Sequence, residues 1–191
     1  MPDAGIEKFL VNSTGWITKK RTEVADRLAK IPKLNSSELF YRGEIWRFVH
    51  IPARSYNTKT DYNNKTISSG KILNGKDLNN WYKKEALFYL TSRVAALAGK
   101  YGYKYSKIKV REAKKRWGTC STKGTISLNS KLILAPTWVS DAIIMHELCH
   151  TVHHNHGESF YNTLYEICPK WDDAKKWLKD NYDFIETIWE G

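Results

Sequence analysis

Long apolar runs, cysteine and proline are all scarce in this chain of 191 residues. The purest apolar run, residues 94–98, is short, so we expect neither a membrane span nor a secretory leader. Three Cys are too few for a disulfide scaffold, which favours reduced thiols and a cytoplasmic location. With 11 Gly, 5 Pro and 13% aromatic residues, a fibrous or disordered chain is also excluded. We therefore expect a globular protein.

Positive charge is concentrated in one part of the chain. The formal net charge is +11, and residues 79–135 carry 13 basic and 2 acidic side chains, whereas residues 136–191 carry 4 and 10. This basic stretch is typical either of a site for an anionic ligand or of a solvated surface. Tyr101, Tyr103 and Tyr105 lie there beside four basic residues, Lys104, Lys107, Lys109 and Arg111. Because such interleaving suits stacking on bases, nucleic acid is a candidate partner.

The first 77 residues are predicted to be rich in β-strands. A short helix at residues 22–28 comes first. The predicted strands then lie at residues 39–41, 45–51, 66–68 and 71–73. The turn signals are Arg42-Gly43 and Asn74-Gly75. A boundary near Asp77 therefore divides a β-rich N-terminal region, residues 1–77, from a second domain, residues 78–191.

The second domain is predicted to mix helices and strands. Apolar side chains recur at helical spacing over residues 80–98, which predicts a long helix that ends at Gly99. Two β-rich stretches, residues 108–111 and 125–128, are predicted to form paired strands. Pro136 and Thr137 then indicate the start of another helix, with Thr137 as its N-cap.

This last helix carries a histidine motif. Five of the six His lie within eleven residues, and the first two frame His146-Glu147-Leu148-Cys149-His150, which is H-E-x-x-H. Residues four apart on an α-helix differ by about 40° in direction, so His146 and His150 can hold one metal ion between them. Glu147 lies about 100° further round the helix, which suits a general base acting on a water at the metal. The pattern predicts a zinc-type site.

Helix geometry limits which residue can be the third ligand. His154 continues the four-residue spacing of His146 and His150. It lies about 12 Å along the helix axis from His146, whereas Zn–N bonds are about 2.0–2.1 Å long, so His154 cannot share the ion on a straight helix. The chain must therefore turn back before it supplies a third group. His156 precedes Gly157, a residue type that ends helices, and is the predicted third ligand. A carboxylate, Glu166 or Glu158, is the alternative.

Three stretches of this region resemble the YgjP-like metal-dependent hydrolases and, more distantly, the SprT and WLM zinc metalloproteases. The stretches are residues 116–121 (RWGTCS), residues 124–129 (GTISLN), and residues 146–150 with His156 and Phe160. The resemblance implies a compact, zincin-like α+β fold of the minigluzincin type, in which a small sheet backs the metal-bearing helix. It also implies that His146, His150 and His156 bind Zn²⁺ and that Glu147 is the base.

Arg116 and Trp117 belong to the most distinctive of these stretches. In one interpretation they line the cleft and bind substrate, with Arg116 holding an anionic group or the developing oxyanion. In the other, Trp117 is a core residue and Arg116 pairs with an acidic neighbour.

The sequence thus predicts a zinc metallopeptidase that acts on a peptide substrate through a metal-activated water. Two alternative functions stay open. The protein could be a pyrophosphatase or phosphohydrolase that acts on a nucleotide substrate, a nucleoside triphosphate, or it could be a DNA-associated protease of the SprT type. The sequence makes no prediction of the oligomeric state.

Overall fold

The computed structural model describes residues 4–29, 33–52 and 58–190. Its contacts divide the chain into two units, Met1–Lys33 and Leu34–Gly191. The first unit contains α1 (Ala4–Ala29), which is much longer than the helix predicted at residues 22–28. The middle of this helix, residues 12–23, has only two apolar residues, Trp16 and Ile17, and both are exposed, so only the last turns gave a clear helical signal. The boundary at residue 77 stays a prediction.

The second unit begins with a four-stranded sheet. Its strands are β1 (Glu38–Tyr41), β2 (Glu44–His50), β3 (Thr58–Asp61) and β4 (Thr66–Ser69). They are ordered β1-β2-β4-β3, with β2 and β4 parallel and the two outer pairs antiparallel. Three of the four predicted strands are confirmed. The prediction at residues 71–73 is wrong, because β4 pairs instead with β3 and these residues run without regular structure into the next helix.

The long helix α2 (Gly75–Tyr101) starts earlier and ends later than predicted. Asn74-Gly75 is its beginning rather than a turn that closes the β-rich region, since Asn74 occupies the N-cap position. Gly99 lies inside the helix. The residue that ends it is Gly102, whose φ of 75° is left-handed and whose N–H donates to the Ala98 carbonyl.

A second sheet stands beside the histidine helix. Its strands are β5 (Lys107–Arg111), β6 (Gly118–Cys120) and β7 (Thr125–Asn129). The order is β5-β7-β6, so β6 lies at an edge. The predicted pairing of β5 with β7 is confirmed and is parallel. A 3-10 helix, Ser130–Leu134, then leads to α3 (Thr137–Cys149), and β6 and β7 both contact α3.

Three shorter helices complete the second unit. They are α4 (Glu158–Ile167), α5 (Trp171–Asp180) and α6 (Tyr182–Glu190). Both α4 and α5 contact α3, and α6 contacts α2 and the 3-10 helix. The predicted α+β fold, with a small sheet behind the histidine helix, is confirmed. Across the described residues, the helices lack an apolar stretch of the length that a membrane crossing needs.

The turn between β1 and β2 fixes the beginning of α3. Arg42 and Gly43 have φ angles of 53° and 84°, and their N–H groups donate to carbonyls of the 3-10 helix, those of Ile133 and Leu134, at 2.9 Å each. A Cβ on Gly43 would lie 2.5 Å from Cγ of Pro136, so only glycine allows this approach.

The predicted N-cap role of Thr137 is wrong. Pro136 occupies the cap position, and the Thr137 hydroxyl instead accepts a hydrogen bond from the Arg42 guanidinium at 3.1 Å. Two further contacts hold α3 in place. Asp141 accepts two hydrogen bonds from Arg93 of α2, at 2.9 and 2.5 Å, and the Ser140 hydroxyl donates to a carbonyl of the 3-10 helix at 2.9 Å. The β1–β2 turn, α2 and the 3-10 helix therefore fix the histidine helix.

Candidate metal centre

The three predicted histidines meet at one point. The Nε2 atoms of His146 and His150 lie 3.2 Å apart, and that of His156 lies 3.2 and 3.1 Å from them. In the part of the chain that the structure describes, these side chains form the one cluster of at least three His, Cys, Asp or Glu residues that could share an ion. Glu158 and Glu166, the alternative third ligands, do not belong to it.

The chain turns back between α3 and α4 to bring in the third imidazole. His150 directly follows α3 and keeps a helical backbone, with φ −67° and ψ −14°. Its Nδ1 lies 3.0 Å from the His153 carbonyl. The His153 ring turns away towards the Thr163 hydroxyl, at 3.1 Å, while the exposed His154 lines the cavity in front of the triad. Neither belongs to the cluster, as the reach of the helix predicts.

Two aromatic side chains hold the imidazoles in place. Phe160, fully buried on α4, packs against all three rings, with centroid distances of 4.5–5.0 Å. Trp171 of α5 stacks flat on His146, at 4.5 Å and 14°. The sequence does not predict Trp171 as part of the site, because this residue lies in an acidic segment without a motif. Helical spacing with Ala174 and Leu178 marks a buried face but not contact with His146.

The electrostatics favour neutral imidazoles. Burial, followed by the neighbouring histidines, lowers the pKa of His146 to about 3, and burial also lowers the pKa of His150. Because a carbonyl can only accept, His150 Nδ1 carries the proton that it donates to His153, so its Nε2 presents a lone pair to the cluster. Neutral imidazoles are the form that binds metal ions.

The triad fits a zinc-type ion. Two nitrogens bound tetrahedrally at 2.0–2.1 Å lie about 3.3 Å apart, close to the 3.1–3.2 Å separations found between the three Nε2 atoms. Three lone pairs facing one another at this distance repel unless a cation lies between them. The described residues thus have the donor set and spacing of a metal site.

Glu147 lies beside the triad in a space made by a glycine. Its side chain is buried, with a relative exposure of 4%, and burial raises its pKa to about 8. A Cβ on Gly118 of β6 would lie 2.5 Å from Glu147 Oε1. The other oxygen, Oε2, has no hydrogen-bond partner among the described residues. The sequence places Gly118 inside the RWGTCS stretch but gives no sign of this contact.

A cavity of about 350 Å³ lies in front of the triad and Glu147. Arg116 lines it, as predicted for a substrate-binding residue, together with Thr119, Cys120 and Thr122. Trp117 is half-buried and meets the Tyr182 ring edge-on, with centroids 6.3 Å apart. Within the described residues, Trp117 is not part of the cavity lining.

The tyrosines of the predicted nucleic-acid surface are half-buried. The Tyr101 hydroxyl donates to the Ile167 carbonyl at 3.4 Å, and that of Tyr103 lies 3.7 Å from Cys149 Sγ. Bases need open aromatic faces for stacking, and these two side chains are engaged with the core. Binding of nucleic acid therefore stays a prediction without structural support.

One protein family and two crystal structures are similar to this chain. Residues 1–181 match the family described as YgjP-like, metallopeptidase domain. No curated protein shows a significant match. The crystal structure of the metallopeptidase zymogen of Pyrococcus abyssi abylysin is 20% identical, with a TM-score of 0.43, over 47% of this chain and 92% of that one. The zymogen of Methanocaldococcus jannaschii jannalysin is 21% identical, with a TM-score of 0.43, over 49% and 96%.

The family match extends over nearly the whole chain and includes the triad and Glu147. The resemblance found in the sequence is thereby confirmed, and the chain belongs to the YgjP-like family of metallopeptidase domains and is a metal-dependent hydrolase.

Proposed function

We propose that the chain is a zinc-dependent peptidase in which His146, His150 and His156 hold the ion and Glu147 is the general base. The observation that carries the proposal is the convergence of three Nε2 atoms, 3.1–3.2 Å apart, beside a buried carboxylate. Three protein ligands leave one position for water or substrate, which is typical of catalytic rather than structural zinc sites.

When bound, a zinc ion lowers the pKa of a water molecule to about 7 and polarises the substrate carbonyl. The protein side chains orient the ligands and transfer the proton. The hydrogen bond from His150 Nδ1 to His153, and the contacts of Phe160 and Trp171, keep the imidazoles oriented. A cation at the triad would favour the ionised form of Glu147, and its Oε2, which has no partner among the described residues, would then accept the proton of the attacking water. The carboxyl then passes this proton to the leaving amine as the C–N bond breaks.

Arg116 is assigned to the substrate. It is exposed, lines the cavity and carries a full positive charge, so it can bind an anionic group of the substrate or the oxyanion that forms during hydrolysis. Trp117 is assigned a positioning role. Its ring packs against Tyr182 and so holds the adjacent Arg116 in place.

Hydrolysis of a nucleoside triphosphate is the second candidate function. It is favoured by the exposed basic side chains around Arg116, because phosphate groups also pair with such residues. Cleavage of DNA-associated proteins has less support, because Tyr101 and Tyr103 of the basic stretch are half-buried and their hydroxyls contact other parts of the fold.

The zinc-loaded wild type and three variants test the proposal on unfolded protein substrates and nucleoside triphosphates. We expect the wild type to cleave peptide bonds. Glu147→Gln should keep the metal and lose activity by at least about 100-fold, whereas His146→Ala should lose metal and activity together. Glu158→Gln, a change outside the triad, is the control and should keep both. Release of phosphate or pyrophosphate without any peptide cleavage would replace the peptidase by the second candidate.

A further inference from the structure

A second cavity opens beside the metal centre. Its volume is about 320 Å³, and it shares Arg116, Gly118 and Thr119 with the cavity in front of the triad. Four cationic side chains line it, those of Arg111, Lys114, Lys115 and Arg116. We call it the basic cavity. Because the two cavities share part of their walls, one extended ligand can occupy both.

The charges of the basic cavity are not balanced within the described protein. No carboxylate of the described residues forms an ion pair with any of its four cations, although other cations of the same unit are paired. Lys131, for example, lies 2.5 Å from Glu186. The neighbouring carboxylate, Glu112, lies 3.1 Å from Lys83 on α2. The cavity therefore offers positive charge to a ligand.

The loop between β5 and β6, which carries three of these four cations, is held firmly. The buried Asn129 donates from Nδ2 to the carbonyls of Ala113, at 2.7 Å, and Arg116, at 3.1 Å. The Tyr182 hydroxyl donates to the Lys114 carbonyl at 3.0 Å. A fixed loop presents its charges in one arrangement, so less conformational entropy is lost when an anion binds.

We propose that the basic cavity binds the carboxylate of an acidic residue in the peptide substrate, next to the bond that is cleaved. The proposal rests on the peptidase function and names its substrate class, peptides with Asp or Glu beside the cleaved bond. Arginine and lysine bind carboxylates by charge-assisted hydrogen bonds, and Arg116 reaches both cavities. Among the described residues, no aromatic side chain lines the basic cavity, which favours a single side chain over a nucleic-acid strand that stacks its bases.

Matched peptides test this preference. The zinc-loaded full chain is given quenched fluorescent peptides that differ only by Asp or Asn beside the cleaved bond, each with a free or an amidated C-terminus. We expect kcat/KM to be about tenfold higher for the Asp peptide, as for two or three exposed ion pairs, with either terminus. A preference for the free terminus without an Asp effect would overturn the assignment and give the cavity to a C-terminal carboxylate.

Charge reversal connects the preference to the cavity. In Lys114→Glu/Lys115→Glu the ratio of the Asp to the Asn peptide should fall to one or below. The control is Lys76→Glu/Lys84→Glu, which changes two exposed lysines of α2 that lie outside the basic cavity and should keep the ratio. An unchanged ratio in the first variant would overturn the proposal.

Binding provides a second readout. The affinity of Glu147→Gln for the Asp and Asn peptides, measured by fluorescence anisotropy, should show the same preference and weaken with salt. Displacement of the Asp peptide by single-stranded DNA at equal or lower concentration would overturn the assignment in favour of nucleic acid. If the wild type cleaves no peptide, the peptidase function itself fails. If it cleaves both peptides equally, only the present inference fails.

Discussion

The indole of Trp171 lies flat on the imidazole of His146, with ring centroids 4.5 Å apart and planes inclined by 14°. Metal-binding histidines usually donate their second ring nitrogen to a hydrogen bond that fixes the ring. His146 Nδ1 is buried and has no such partner among the described residues. Stacking on Trp171, whose ring centroid lies 5.7 Å from the Lys175 ammonium group, therefore orients the His146 ring.

Trp171→Ala should weaken metal binding, because it removes the support of one ligand ring. We expect the affinity for Zn²⁺ to fall by about 10- to 100-fold, as when other supporting partners of metal ligands are lost. Competition with a chromophoric chelator measures it. Trp177→Ala, in the same helix α5 and without contact to His146, is the control. Unchanged affinity in folded Trp171→Ala would show that the stacking is dispensable.

Gly118→Ala should reduce catalysis without removing the metal. The new methyl group would lie 2.5 Å from Glu147 Oε1, so the carboxylate must move from its place beside the triad. We expect kcat to fall about 100-fold at full zinc content, since a base displaced by about 1 Å loses its geometry. In Gly99→Ala, the added Cβ meets no atom within 4 Å, and activity should be kept. Full activity of Gly118→Ala would contradict the tight contact.

The third ligand can be identified from metal stoichiometry. His156→Ala should lower bound zinc well below one ion per chain, because two imidazoles are left. Glu166→Gln and Glu158→Gln should retain one ion, since neither carboxylate belongs to the histidine cluster. Elemental analysis after dialysis against a weak chelator compares the three variants. Loss of metal in Glu166→Gln would restore the carboxylate as the third ligand.

The cysteines should react slowly with alkylating agents in the folded protein. Burial raises the pKa of Cys120 and of Cys168 to about 11 and also raises the pKa of Cys149, whereas a free thiol titrates near 8.5. Native protein should therefore consume little iodoacetamide at pH 8.5, and unfolded protein three equivalents. The rate for the native protein should rise as the pH approaches 11. Mass spectrometry follows the reaction.

These shifts also predict how stability changes with pH. The fold favours the neutral thiols, so their contribution to the free energy of unfolding is complete below about pH 8.5. It is lost as the pH rises towards 11. Chemical denaturation at a series of pH values between 8 and 11 measures this loss, and a constant free energy of unfolding over that range would contradict it.

The parts of the site that the sequence predicts are those set by local geometry. His146 and His150 share a direction because they lie four residues apart on one helix, and Gly157 indicates the return of the chain that brings in His156. Trp171 and Gly118 reach the site through tertiary packing, and no spacing in the sequence encodes that contact.

The same division applies to the fold. The long helix α2 and most strands follow from periodicity and composition. The pairing of β4 with β2 and β3 cannot be predicted in this way, because it depends on how the whole sheet assembles. Thr137 is a residue type that often caps helices, but its hydroxyl instead accepts a hydrogen bond from Arg42 of the hairpin turn, a contact between distant parts of the sequence.

Because the Arg42-Gly43 turn is bonded to the segment before α3, hydrogen exchange at this turn should respond to metal binding at the other end of α3. An ion held at His146 and His150 binds only the folded chain and so stabilises everything that unfolds together with α3. The amides of Arg42 and Gly43 are bonded to the segment that leads into this helix. Their protons should exchange with solvent deuterium more slowly when zinc is added, even though the ion lies at the opposite end of the helix.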